Sequence, residues 1–462
     1  MTKRIIIPLI LVLVPLLASA FQGQAVIDGL NYSIDTDART AEVASAQSDD
    51  QKTASEVTIP SSVTYEGVQC SVTSIGFKAF ASWPNLTSVT IGEGVKTLQT
   101  NAFYNCKKLT SVTLPTSVEK LEMQVFSGCS SLQSVKLPEG LQTIGAYSFA
   151  ACTSLSSINI PNSVTVIGSA AFSGCTSLSS LTLPTSLLAI GDQAFYKCTS
   201  LKSALTIPDG VIYIGANAFD GCTGLTAIVL PAGLTEIQKE TFYGCTALTS
   251  VNIPDGVETI GKSAFYKCPI TGALTLPASL TEIGTSAFSN CSRLTSVTFP
   301  EGLKTIANSA FSGCSSLTTV AIPASVDSLG TSAFANCGQL TSAVIGDGVP
   351  AIGSSTFSQC KNLATVKIGN NVQSIGQHAF NGCNNLTSFE IPVGVTSIGA
   401  FAFQGCSSMS IPTLPSGLKS VGESAFYGCT GVANIPASLT SIGRQAFSGC
   451  SDIIVDSSNS VY

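Results

Sequence analysis

Apolar residues return with a fixed beat along most of this chain. One cycle, Leu248 to Ile270, reads LTSVNIPDGVETIGKSAFYKCPI, with apolar side chains at Leu248, Val251, Ile253, Val257, Ile260, Ala264, Phe265 and Cys268. Val251 and Ile253 alternate with polar neighbours, which predicts a short strand with Thr249, Ser250 and Asn252 facing out. Pro254 ends that strand, because proline cannot donate to a ladder. Asp255-Gly256 turns the chain, and Val257-x-x-Ile260 predicts a second short extended stretch. Gly261 then precedes Ala264-Phe265, where residues 263–267 leave room for a single helical or 3₁₀ turn. Gln99, Glu122, Gln238 and Ala307 stand in the Gly261 slot of other cycles, so that slot does not demand a positive φ.

The cycle repeats every 23 residues from Phe80 to Phe195, steps 24 to Phe219, resumes 23 to Phe426 and closes with 21 to Phe447. Sixteen of these 17 Phe residues have a Cys three positions later, from Cys106 to Cys450, and the first has Trp83. Pro fills the strand-end slot in 13 units from Pro115 to Pro436, and Gly92, Gly346 and Gly369 fill three more. A period of this length predicts an α/β repeat solenoid of about 17 coils, mostly short parallel strands with single helical or 3₁₀ turns, roughly 80 Å long at ~4.8 Å per coil. One coil buries about seven apolar side chains, too few to offset the ordering of its backbone, so coils fold only as a stack. Residues 21–70 break the period and are expected to cap the array. They hold strand-like Ala25-Val26-Ile27 and Tyr32-Ser33-Ile34, a flexible polar stretch from Ala44 to Ser55, and a first strand-Pro element, Glu56 to Pro60. The array is expected over residues 71–450. The tail, 451–462, has no polar capping element, the pattern of a truncated array or of an end covered by a partner.

Composition narrows the function. Charged residues make up 10% of the chain, with 27 acidic and 21 basic residues and a net charge of −6. No Lys/Arg run forms the basic stripe that nucleic acid requires. Residues 1–20 read as a secretory signal: Lys3 and Arg4, then apolar Ile5 to Leu17, then Ala18-Ser19-Ala20 as a cleavage site. Mature protein is expected from Phe21, secreted or at the cell surface, and no later run of ~18 apolar residues predicts a membrane span. Seventeen cysteines in a secreted chain ordinarily mean disulfides. Here sixteen share one repeat position, and in-register Cβ atoms point in parallel instead of converging to the ~3.8 Å that a disulfide prefers. The column is expected to consist of buried free thiols acting as small hydrophobes, with Cys70 alone outside it.

The cycle Leu109-x-x-Val112-x-Leu114-x-x-x-Val118-x-x-Leu121-x4-Phe126-x-x-Cys129 resembles a leucine-rich repeat. The Pro after the strand, the Ile-Gly and the Ala-Phe-x-x-Cys resemble the BspA-like subclass of bacterial and protozoal surface proteins, over about residues 57–455. The chain departs from the general leucine-rich consensus where asparagine is usual, with Ser117, Gly256 or Asn371 there. The resemblance implies an extracellular adhesion or protein-binding scaffold, in some members for host matrix proteins, and no catalytic residues.

Little in the chain points to catalysis. The single His, His378, sits where other units carry Ser, Asn or Gln, and reads as a solvent-facing filler. CxxC pairs with zinc spacing and phosphate-binding loops are missing, so no metal or other cofactor is expected. After the strand Pro, successive units carry Asp209, Ala232, Asp255, Ala278, Glu301, Ala324 and Asp347. This alternation about doubles the distance between like charges and leaves them too far apart to share one calcium ion. Thr87-Ser88, Thr110-Ser111, Thr249-Ser250, Thr295-Ser296 and Thr387-Ser388 predict a hydroxyl-rich strand face. After the Phe, Tyr196, Tyr243 and Tyr266 replace the usual Ser, Ala or Asn, close to Lys197, Lys267 and Tyr213. Clustered Tyr with Lys is the composition of a recognition hot spot, and these are the candidate partner-binding residues. The reading is a non-enzymatic surface scaffold for an extracellular-matrix or cell-surface protein. A carbohydrate-binding module is the first alternative. A parallel β-helix polysaccharide-degrading enzyme is the second, and it requires clustered charges that are scattered here.

Overall fold

The computed structural model describes residues 23–46, 48–202 and 204–461. The expected signal segment, residues 1–20, lies outside the described residues. The chain opens with three antiparallel strands, β1 (Gly23–Ile27), β2 (Leu30–Asp35) and β3 (Thr40–Val43). Then come β4 (Glu56–Ile59), β5 (Ser62–Tyr65) and the longer β6 (Val68–Ile75), which pairs antiparallel with β5 and parallel with β3. From there two sets of short parallel strands run up the array, one set continuing from β4 and the other from β6.

Each coil is built as the pattern of apolar positions predicts. In the coil of Leu248, Ser250–Val251 pairs with the coil before it, and Thr259–Ile260 pairs with Glu282–Ile283 in the coil after it. Leu248, Val257, Ile260, Ala264, Phe265 and Cys268 are buried, and Val251 and Ile253 are half-buried. The Phe column is a continuous ladder from Phe80 to Phe447, with ring centroids 5.0–5.6 Å apart and nearly parallel planes.

The third side of the coil is a turn, and no helix forms there. Ala264, Tyr266 and Cys268 donate their amides to Gly261, Ser263 and Phe265, the i→i−3 bonds of a 3₁₀ turn. Ser263, Phe265 and Lys267 donate instead to Thr285, Ala287 and Ser289 of the next coil. This alternation requires left-handed backbone at Ser263 (φ 53°) and Lys267 (φ 60°), which stops the turn from winding into a helix. The same holds in all 17 coils: the residues two before and two after each Phe have positive φ. No Val, Ile or Thr occupies either column, because a β-branched side chain is the poorest fit to that region.

The slot of Gly261 has another cause. Its φ is not positive, but a Cβ there would lie 2.6 Å from the Lys239 amide nitrogen of the preceding coil. Close coil-to-coil approach, not conformation, selects glycine. The usual asparagine position carries a serine ladder: Ser117, Ser163, Ser186, Ser279, Ser325 and Ser438 each donate to a carbonyl 20–22 residues back, at 2.6–2.8 Å.

Two stability measurements test this packing. Phe265 stacks on two rings and is fully buried, whereas Phe447 stacks on one and is 6% exposed. Phe265→Ala should cost about 3–5 kcal/mol in denaturant melts and Phe447→Ala clearly less; equal losses would contradict the end position of Phe447. Ser263→Val should destabilise by roughly 1–3 kcal/mol because valine resists positive φ. Ser263→Asn should be close to neutral, since Asn101 and Asn217 already occupy that column.

Candidate functional site

Tyr196, Tyr243 and Tyr266 each follow a buried Phe, so their rings are half-buried against the turn side of the solenoid. Tyr243 and Tyr266 lie on adjacent coils and stack at 4.7 Å with planes 14° apart. Tyr196 stands two coils earlier, with Asp220 in the column between. Lys197 and Lys267 hold the left-handed positions after the tyrosines. That geometry folds each lysine back over its neighbour, with Lys197 Nζ 4.9 Å from the Tyr196 ring centre and Lys267 Nζ 5.3 Å from that of Tyr266. The predicted site residues therefore share one face. Tyr213 does not join them: it is on the outward side of a second strand, and its hydroxyl donates to Asp192 at 3.0 Å. Burial, then that bond, pushes its hydroxyl up to about 12.

Sequence reasoning missed the polar groups between the tyrosines. Asn217 donates to both Asp220 (2.9 Å) and Glu240 (3.0 Å), tying the two carboxylates together. Partial burial raises the Asp220 carboxyl above its ordinary value, opposed by the Asn217 bond and by Lys197. A hydrogen bond with Tyr196 is the main cause holding the Lys197 ammonium above its ordinary value, with Asp220 adding to it. The site thus presents an aromatic stack flanked by fixed charges of both signs.

The strand face differs from expectation. Its threonine hydroxyls are engaged with the backbone: Thr110, Thr249, Thr318 and Thr341 each donate to the carbonyl 23 residues earlier, at 2.9–3.3 Å. The Thr column therefore stitches coils together instead of presenting free donors. A groove of about 700 Å³ does open on this side, beside Gly346 and Gly369 and rimmed by Val344, Lys367, Glu390 and Val393. His378 is a half-buried member of a left-handed column and stacks on Phe401 at 4.9 Å. Among the described residues no group of three or more His, Cys, Asp or Glu is placed to hold a metal ion.

A family model for the BspA type leucine rich repeat region matches residues 55–179, 165–292, 259–386 and 328–454. The chain belongs to the BspA-type leucine-rich repeat family. Among solved structures it is similar to a leucine-rich repeat protein from Bacteroides ovatus, with 30% identity and a TM-score of 0.60, over 89% of this chain and 94% of that one. It is also similar to a leucine rich cell surface protein from Faecalibacterium prausnitzii, with 28% identity and a TM-score of 0.51, over 75% of this chain and 94% of that one. No curated protein matches the chain. No helix among the described residues is long and apolar enough to cross a membrane.

In this BspA-type array the recurring chemistry of the repeat, the cysteine column, is structural. All 17 cysteines are unpaired. From Cys106 to Cys429 each thiol donates to the carbonyl of the Phe in the preceding coil, as Cys268 does to Phe242 at 3.0 Å. That carbonyl also accepts the amide of its own coil's cysteine, Cys245 for Phe242, so both lone pairs are used. The first coil has no preceding Phe carbonyl, and Trp83 fills the slot there.

Burial pushes the Cys175, Cys314 and Cys429 thiols up to about 12 from an ordinary 9.0. The folded state therefore keeps protons that the unfolded chain loses. Their contribution to stability is complete below about pH 9 and is lost as pH rises towards about 12. In reducing buffer Tm should be level between neutral pH and about pH 8.5 and fall above pH 9. Native protein should react slowly with thiol reagents and unfolded protein rapidly. A Tm that stays level at high pH, or a Cys245–Cys268 disulfide in a mass spectrum, would contradict this account.

Proposed function

We propose that this protein is a secreted, non-enzymatic scaffold at the cell surface that binds an extracellular-matrix or cell-surface protein through the turn side of coils 196–267. Leucine-rich repeat scaffolds bind other proteins, and one similar structure is that of a cell surface protein. The observation that carries the reading is the Tyr243–Tyr266 stack with Lys267 over its end, in a column that is otherwise mostly small. Stacked tyrosines are rigid before binding, so little side-chain entropy remains to be lost on contact. The stack uses one face of each ring, and Lys267 lies over Tyr266, so a partner meets ring edges, hydroxyls and the lysine ammonium together, the mixed aromatic and charged composition of a protein-recognition hot spot.

The partner should be found by biosensor screening of the mature protein against extracellular-matrix and cell-envelope proteins. For the one bound, replacing Tyr196, Tyr243 and Tyr266 by Ser should weaken affinity at least tenfold, about 1.4 kcal/mol. Folding should be unchanged, because Ser173, Ser289 and Ser312 already occupy that position. The low charge of the chain predicts that affinity depends little on salt. Unchanged affinity in the triple variant would reject the cluster of Tyr196, Tyr243 and Tyr266 and leave the groove beside Gly346 and Gly369 as the contact surface.

A further inference from the structure

Val166, Leu188, Ile212 and Tyr213 leave apolar surface uncovered on the second-strand side of the solenoid, which the proposed protein-binding face does not use. Ile212 is 59% exposed and Leu188 49%, and Val166 and Tyr213 are exposed beside them. Register sets them on adjacent coils: Val166 pairs with Ala189 and Ala189 with Tyr213, while Ile167, Ile190 and Ile214 are buried behind them. Leu188 and Ile212 stand one residue before these strands, and the Ile212 amide donates to the Leu188 carbonyl at 3.0 Å. Their side chains lean along the array. Leu188 Cδ2 lies 3.9 Å from where a Cβ on Gly210 would stand, and Ile212 Cγ2 lies 3.4 Å from where one on Gly233 would. Elsewhere the same column is polar, with Thr165, Thr235, Glu258, Thr281 and Lys304. Contiguous apolar side chains on an otherwise polar face mark a contact surface.

The rim of this patch is acidic. Asp192 accepts the Tyr213 hydroxyl at 3.0 Å. The charges of Asp192 and Glu236 both act on that hydroxyl, so the two carboxylates flank it. Asp209 is exposed just before Gly210, and Glu258 continues the column of Leu188 and Ile212 two coils on. None of these four carboxylates is in an ion pair among the described residues. Residues 164–167, 187–190, 211–214 and 234–237, which form this side of the four coils, include no lysine or arginine.

Charge and spacing together select the occupant. A second copy of the chain would set like carboxylates against each other, and an anionic lipid surface is repelled in the same way. A cationic segment with an apolar face complements both the patch and its rim. Coils recur every ~4.8 Å. An α-helix presents the same face every ~5.4 Å turn and stays nearly in step across three coils. An extended segment returns to one face every ~6.8 Å and falls out of step. We propose that Val166, Leu188, Ile212 and Tyr213 form a docking surface for a basic amphipathic helix of a partner protein, lying along the array with its cations over Asp192, Asp209 and Glu236. This surface is independent of the cluster of Tyr196, Tyr243 and Tyr266.

Fluorescence anisotropy with labelled peptides and the full mature chain tests the assignment. The probe is a helical peptide with leucine at every third or fourth position and lysine elsewhere. It should bind saturably, one per chain, and at least tenfold more weakly when salt rises from about 0.05 M to about 0.5 M. A scrambled peptide of the same composition, whose leucines share no face, should bind at least fivefold more weakly, and a version with glutamate for lysine should not bind. Leu188→Thr and Ile212→Thr together should weaken the leucine–lysine peptide at least tenfold with Tm unchanged, because Thr165 and Thr235 already occupy that column. Asp209→Asn with Glu236→Gln should weaken it at least fivefold. Triple replacement of Tyr196, Tyr243 and Tyr266 should leave it unchanged, which separates this surface from the proposed protein-binding face. If no peptide binds saturably, if the scrambled or glutamate peptide binds equally well, or if the Leu188 and Ile212 double variant keeps full affinity, the assignment is wrong.

Discussion

The structure depends on how closely one coil's backbone can lie on the next. Amide-to-carbonyl bonds between coils run along all three sides and set the spacing, and the Phe rings stack within it at 5.0–5.6 Å. At the Phe turn this contact forces an unusual backbone, with left-handed residues on both sides of the ring. At the Gly261 position it leaves no space for a Cβ. Small side chains then complete the interface: serine and threonine hydroxyls and cysteine thiols each donate to a carbonyl one coil back. The repeat's consensus is therefore largely a list of groups that fit between two backbones and satisfy a buried acceptor.

Much of this was legible in the sequence, for a physical reason. A solenoid repeats its environment, so a residue demanded by packing recurs at a fixed interval. The Phe and Cys columns, the strand-ending Pro and the inward Val and Ile all followed from periodicity. What periodicity could not show was the reason for each choice. Cysteine reads as a small hydrophobe until the Phe carbonyl beside each thiol is seen. The Thr columns read as a free polar face until their hydroxyls are found on the backbone. The left-handed columns did leave a signal, the complete lack of Val, Ile and Thr two residues from each Phe, but a missing residue type is harder to notice than a recurring one.

The proposed binding surface lies where the repetition breaks, and there legibility falls. Tyr196, Tyr243 and Tyr266 were visible as departures from a small-residue column, while Tyr213 was misplaced because sequence proximity ignores which side of the coil a residue occupies. The Asn217 bridge between Asp220 and Glu240 joins residues three and 23 positions apart and has no one-dimensional signature.

Amide hydrogen exchange of the free protein tests most directly the claim that stability is handed from coil to coil. The amides of Ser263, Phe265 and Lys267 each have an acceptor in the following coil, whereas those of Gln445, Phe447 and Gly449 have none among the described residues. Exchange followed residue by residue should show strong protection at the three mid-array sites and rapid exchange at the three terminal ones, with a graded fall between. Equal protection at both sets, or rapid exchange at Phe265, would contradict the account.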